Sequence, residues 1–124
     1  MIELEQEHPK EMAKKRIQAQ SEIRILRSMR ESEYILQLKY IYESPLAICL
    51  VFENFEGENL ESILDNVGQL TEAEAKEIMK SLLRGLSFLQ KNKVIHRDIK
   101  PGSIYINKNN QIKITDFGLA IGFD

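Results

Sequence analysis

A single cysteine in 124 residues leaves no partner for an internal disulfide and disfavours a thiolate metal cluster. That residue, Cys49, lies inside an apolar run and reads as a small buried hydrophobe. Long hydrophobic runs are also missing. The longest, Leu46–Phe52, is far too short to span a bilayer, and the acidic N-terminus lacks the basic and apolar regions of a signal peptide. A cytoplasmic or nuclear location is therefore expected. Charge of one sign is nearly balanced out, and a net −2 gives no electrostatic footprint for nucleic acid or an anionic membrane, so neither is an expected partner. No internal repeat, low-complexity tract or long linker breaks the chain. What remains is 43% hydrophobic and 29% charged, ordinary for a globular protein and sufficient for one small domain with a core.

The periodicities predict an α+β chain. Met1–Pro9 is acidic and without apolar period, which reads as a frayed arm. Lys10–Arg30 favours helix, with Ala13, Ile17, Ile23, Leu26 and Met29 as an approximate apolar stripe, and Glu22 and Leu26 one turn apart on a shared face. Tyr34–Tyr42 reads as a strand, Glu43-Ser44-Pro45 as a turn, and Leu46–Phe52 as a strand buried on both faces. Hydrophobicity stops at Glu53-Asn54-Phe55-Glu56-Gly57. Asn59 can cap a short helix with Leu60, Ile63 and Leu64 inward, ended by Asn66–Gly68. Thr71-Glu72-Ala73-Glu74 is a capping box opening a second long helix to about Lys91. Its stripe is Ile78, Leu82, Leu86 and Leu89, with Met79 and Leu83 alongside.

The most informative stretch follows. Ile104-Tyr105-Ile106 and Ile112-Lys113-Ile114-Thr115 alternate like two strands, and Asn107–Gln111 supplies the turn between them. Folding that hairpin returns Asp116, in Asp116-Phe117-Gly118, to the loop His96-Arg97-Asp98-Ile99-Lys100-Pro101. Two carboxylates then converge as phosphoryl transfer requires, one to accept a hydroxyl proton and the other to hold a divalent metal.

These two motifs at this spacing closely resemble the eukaryotic protein kinases, which pair an H-R-D catalytic loop with a D-F-G metal motif. The resemblance implies a partial kinase fold: residues 1–52 as part of the N-lobe, 53–58 as the hinge, and 59–124 as part of the C-lobe. It implies ATP and Mg²⁺ as cofactors and a protein as substrate. Asp98 would accept or orient the substrate hydroxyl proton, with Lys100 touching the transferring phosphate, a residue choice similar to serine/threonine kinases. Asp116 would ligate magnesium. Glu22 would pair with a lysine on a preceding strand, and Leu26, continued by Leu38, would pack toward Phe117, which sits beside His96. Arg97 would be free to bind a phosphorylated activation segment. Glu53, Asn54 and Phe55 would form the adenine-binding hinge, Phe52 the gatekeeper, and Asn59 a ribose contact.

Two departures stand against that pattern. Neither a G-x-G-x-x-G loop nor a V-A-I-K-like strand lysine precedes the first helix, so the resemblance implies a central fragment with negligible activity of its own. Ser103 stands where the pattern has the asparagine that ligates a second metal. A serine hydroxyl can coordinate magnesium, but it is shorter, and a water then has to bridge. These departures motivate a second reading, a non-catalytic interaction module that keeps the fold.

Overall fold

The computed structural model describes residues 2–3 and 9–123. Of the arm expected over 1–9, Ile2–Glu3 forms a short strand, β1, and Pro9 opens the first helix; the remainder lies outside the described residues. The backbone of β1 pairs antiparallel with Ala47 and Ile48, so this part is ordered rather than frayed.

Helix α1 spans Pro9–Ser28, with proline at its first position, where the missing N–H is no loss. Its buried side chains are Ala19, Ile25 and Leu26, and Met29, just past its end, is buried with them. Ala13 and Ile17, expected in the stripe, are exposed, and Ile23 is half-buried, because only the second half of the helix packs on the core.

The expected strand over Tyr34–Tyr42 divides in two. Tyr34–Leu36 runs beside the later hairpin, and β2 begins at Leu38 (Leu38–Glu43) and pairs with β3 (Ala47–Phe52). Gln37 makes the division. Its Nε2 donates to the carbonyls of Met29, Ser32 and Ile35 at 3.1–3.3 Å, closing the chain over the end of α1. A register shift between Leu38 and Tyr40 then moves the inward face from Tyr40 and Tyr42 to Ile41. In β3 Ile48 alone is buried, and Cys49 is only partly covered, so this strand is not enclosed on both faces as expected.

A two-residue strand β4 (Glu58–Asn59) leads into α2 (Leu60–Val67). Asn59 caps it by accepting the Ser62 N–H at 2.7 Å, and Gly68 closes it at φ +80°. In α3 (Glu72–Lys91) Thr71 Oγ1 accepts the Glu74 N–H at 3.2 Å, as the capping box requires. Leu89 is buried and Ile78, Leu82 and Leu86 pack on the core, whereas Met79 and Leu83 are exposed. Gly85 is the point of closest approach, since a Cβ there would lie 2.8 Å from Ile114 Cδ1.

Beyond α3 come β5 (Val94–Ile95), a single 3₁₀ turn Pro101–Ser103, β6 (Ile104–Ile106) and β7 (Ile112–Ile114). A second 3₁₀ turn Phe117–Leu119 and β8 (Ile121–Gly122) complete the order. The sheets are ordered β1-β3-β2, β4-β6-β7 and β5-β8. The hairpin β6–β7 pairs Ile104 with Ile114 and Ile106 with Ile112, and all four are buried. One core gathers these isoleucines with Leu26, Met29, Ile35, Leu89 and Phe117. The architecture is a partial protein-kinase-like α+β fold. No helix among the described residues is long and apolar enough to cross a membrane.

Candidate functional site

Backbone conformation after α3 decides which side chains turn inward. Lys93 (φ 58°) and Arg97 (φ 72°) adopt the left-handed region. His96 between them is buried. Its Nδ1 accepts the Asp98 N–H at 3.0 Å, and its Nε2 lies 2.7 Å from the Thr115 carbonyl. A neutral imidazole with its proton on Nε2 satisfies both contacts. Its ring also meets Phe117 edge-on, centroids 4.8 Å apart. Arg97, expected to be free for a phosphate, donates through Nε to Leu119 O at 2.6 Å, so part of its guanidinium is already engaged.

Asp98 and Lys100 turn outward, Lys100 Nζ standing 3.5 Å from Asp98 Oδ2, with side chains 36% and 56% exposed for Asp98 and Lys100. Behind them Ser103 has no exposed surface. Its hydroxyl donates to Asp98 O at 3.0 Å, and its own carbonyl accepts the Thr115 N–H at 2.9 Å and Thr115 Oγ1 at 3.1 Å. The loop bearing Asp98 is thus fastened, through Ser103 and His96, to the residue that immediately precedes Asp116.

The turn that returns the chain is built by Asn107. Its Oδ1 accepts from the N–H groups of Asn109 and Gln111, each at 2.9 Å, while Asn110 takes φ 60°. Asp116 itself is left-handed (φ 62°), which sends Phe117 into the core while the aspartate stays exposed.

Asp116 lines a cleft of about 240 Å³ with Glu22, Thr115, Tyr105, Phe52 and an apolar floor of Leu26, Leu36 and Phe117. Glu22 is half-buried there. Burial, and then the charge of Asp116, hold its carboxyl above the usual carboxylate range. Gln18 on the same helix donates to Gly118 O at 2.9 Å, fixing α1 against the D-F-G turn. Glu22, Phe52 and Asp116 are therefore brought together in one cleft. Asp98, Lys100 and Ser103 form the neighbouring loop and do not line it.

The expected hinge residues follow from Phe52. Glu53 exchanges two bonds with Gln37, its N–H to Gln37 O at 2.8 Å and its Oε1 from Gln37 N–H at 3.1 Å. Its carboxylate also pairs with Lys113 Nζ on β7 at 3.2 Å, and that ammonium lies 5.9 Å from the Phe55 ring centroid. Asn54 is exposed. Asn59 sits opposite Tyr105 on β6, which lines the cleft, but its Oδ1 is committed to the helix cap.

Among the described residues no group of three or more His, Cys, Asp or Glu side chains could hold a metal by itself. Asp116 offers one exposed carboxylate, which fits magnesium, an ion commonly held by one or two carboxylates together with substrate phosphates and water.

Sequence reasoning missed Thr115, Gln37 and Lys113. Thr115 carries a weak signal, since strand alternation from Ile114 and the start of the acidic motif place it at the joint. Gln37 and Lys113 carry none, because each reads as the polar member of an alternating strand.

A sequence model of the family described as Protein kinase domain matches residues 2–124. Human Cyclin-dependent kinase 20 is 35% identical over 103 residues, covering 83% of this chain and 30% of that protein. Mitogen-activated protein kinase kinase 7 of Arabidopsis thaliana is 37% identical over 101 residues, 80% of this chain and 32% of its own. The bovine Phosphorylase b kinase gamma catalytic chain, liver/testis isoform, is 36% identical over 112 residues, 90% and 28%. The chain thus spans about a third of the length of the curated relatives it matches.

Proposed function

Because the chain belongs to the protein kinase domain family, we propose that the whole protein transfers the γ-phosphoryl group of ATP to serine or threonine hydroxyls of a protein substrate. The observation that carries this reading is the double tie, Ser103 and His96 to Thr115, which holds the Asp98 loop against the strand leading to Asp116. Phosphoryl transfer asks the protein chiefly for positioning and charge compensation, and that arrangement supplies a frame for both.

In this reading Asp98 accepts or orients the proton of the incoming hydroxyl, and Lys100 beside it offsets repulsion between that carboxylate and the anionic nucleotide. Asp116 would hold Mg²⁺, which when bound would neutralise phosphate charge. Glu22 faces Asp116 across the cleft and, in the whole protein, is the partner for a strand lysine. Phe52 closes the inner wall. The Glu53 N–H is committed to Gln37, so an adenine edge would be met by the remaining backbone groups of Glu53, Asn54 and Phe55, with Asn59 toward the ribose. The 124 residues by themselves are expected to turn over negligibly, because no glycine-rich phosphate cover or strand lysine is present in their sequence.

The test is transfer of labelled phosphate from ATP to a generic protein by the intact protein, followed by identification of the labelled residue. Asp98→Asn should lower the rate by about a hundredfold or more, with label on serine or threonine. An unchanged rate, or label on tyrosine, contradicts the assignment. A second reading, a non-catalytic module of the same fold, is favoured by the buried Ser103, whose hydroxyl donates to Asp98 O, at a position expected to face metal. Loss of magnesium-dependent ATP binding would select it.

A further inference from the structure

Each polar group of Ser103 makes a hydrogen bond within the fold. Its N–H donates to Lys100 O at 2.9 Å, its hydroxyl to Asp98 O at 3.0 Å, and its carbonyl accepts from both N–H and Oγ1 of Thr115. Its side chain has no solvent-accessible surface at all, and it closes the 3₁₀ turn Pro101–Ser103 from which β6 departs. A magnesium ion needs ligand oxygens at about 2.0–2.1 Å in near-octahedral array and keeps several waters, so it cannot reach an oxygen enclosed on every side.

The chemistry of the two side chains explains the difference from the family pattern. An asparagine amide has a donor and a separate acceptor, so it can give a hydrogen bond to a loop carbonyl and still present an oxygen to a cation. A serine hydroxyl must do both from one oxygen, whose lone pairs stay where the hydrogen bond holds that atom. Here its proton goes to Asp98 O, and its short reach keeps that oxygen inside the fold.

We propose that Ser103 is a positioning residue that locks the Asp98 loop to Thr115, and that the nucleotide complex of this protein holds one divalent cation, on Asp116, with none at position 103. This rests on the reading that ATP and a cation occupy the site. The lock itself is independent of any ligand.

The experiment uses the intact protein with a non-hydrolysable ATP analogue and Mn²⁺, counting bound ions per nucleotide complex by electron paramagnetic resonance. The wild type and Ser103→Ala should each take one ion, and Ser103→Asn should take two, the added ion binding more weakly. In parallel, without nucleotide, amide hydrogen exchange at positions 103 and 115 should quicken about tenfold in Ser103→Ala, the usual scale for losing one buried hydrogen bond, and return toward wild type in Ser103→Asn. Two ions on the wild type overturn the single-cation site and leave the kinase reading intact. No ion on the wild type overturns both. Exchange in Ser103→Ala equal to wild type overturns the lock.

Discussion

Two hairpins of apolar-rich sequence end in different surroundings. In β6–β7 both strands follow a strict buried, half-buried, buried order, and the four isoleucines share one core with residues of α1, α3 and the segment Tyr34–Leu36. In β2–β3 only Ile48 is buried, and Tyr40 and Tyr42 face solvent beyond the register shift. One hairpin is a keystone of the core and carries the D-F-G turn; the other is a flap covered by one helix and held at its end by Arg16 against Glu43. Apolar content alone therefore does not set burial; the neighbouring elements decide it.

Truncation at the centre of each hairpin should expose that difference. Ile114→Ala removes a fully buried side chain that also fills the space over Gly85, and it should cost about 3 kcal/mol. Ile41→Ala in the half-buried flap should cost about 1 kcal/mol. Urea unfolding of the two variants checks this, and equal losses would erase the distinction.

A smaller effect is expected where the two regions are joined. Lys113 on the core hairpin pairs with Glu53 at the end of the flap, both side chains largely shielded at 15% and 23% exposure. Lys113→Ala should cost about 1 kcal/mol, and adding Glu53→Gln should cost little more, since the two residues act as one unit. Independent, additive losses in the double-mutant cycle would show that the pair does not couple the regions.

The smallest effect concerns pH. Glu22 has its carboxyl raised by burial and by Asp116, so the folded state binds a proton that the unfolded chain has released. Stability contributed by that proton is present below the ordinary carboxylate value and is lost as pH rises through the elevated one. Glu22→Gln should therefore raise the melting temperature modestly near neutral pH, with the gain shrinking to nothing in acid. A gain that is the same at all pH values would place its origin elsewhere.

What was legible in the sequence follows the same division. The core hairpin, its Asn107 turn, the Thr71 capping box and the Asn59 cap depend on chemistry within a few residues, and each was readable. The flap was not: the bulge at Lys39 is a register event fixed by the partner strand, and it turned two tyrosines outward. Ala13 and Ile17 fit the helical period yet lie in the half of α1 that packs on nothing buried. For the site, the two acidic motifs announced themselves by spacing. The Gln37 and Lys113 contacts to Glu53 join residues 16 and 60 positions apart, which no local pattern encodes. Ser103 was readable as a departure, but its hydrogen bonds emerged only from the fold.

The most direct measurement is the thermal shift of the intact protein with ATP, with and without Mg²⁺. Stabilisation should require the metal, survive Asp98→Asn and disappear in Asp116→Asn if, as proposed, Asp116 holds the cation and Asp98 meets the hydroxyl. A shift of equal size without magnesium, or one that persists in Asp116→Asn, would contradict that assignment.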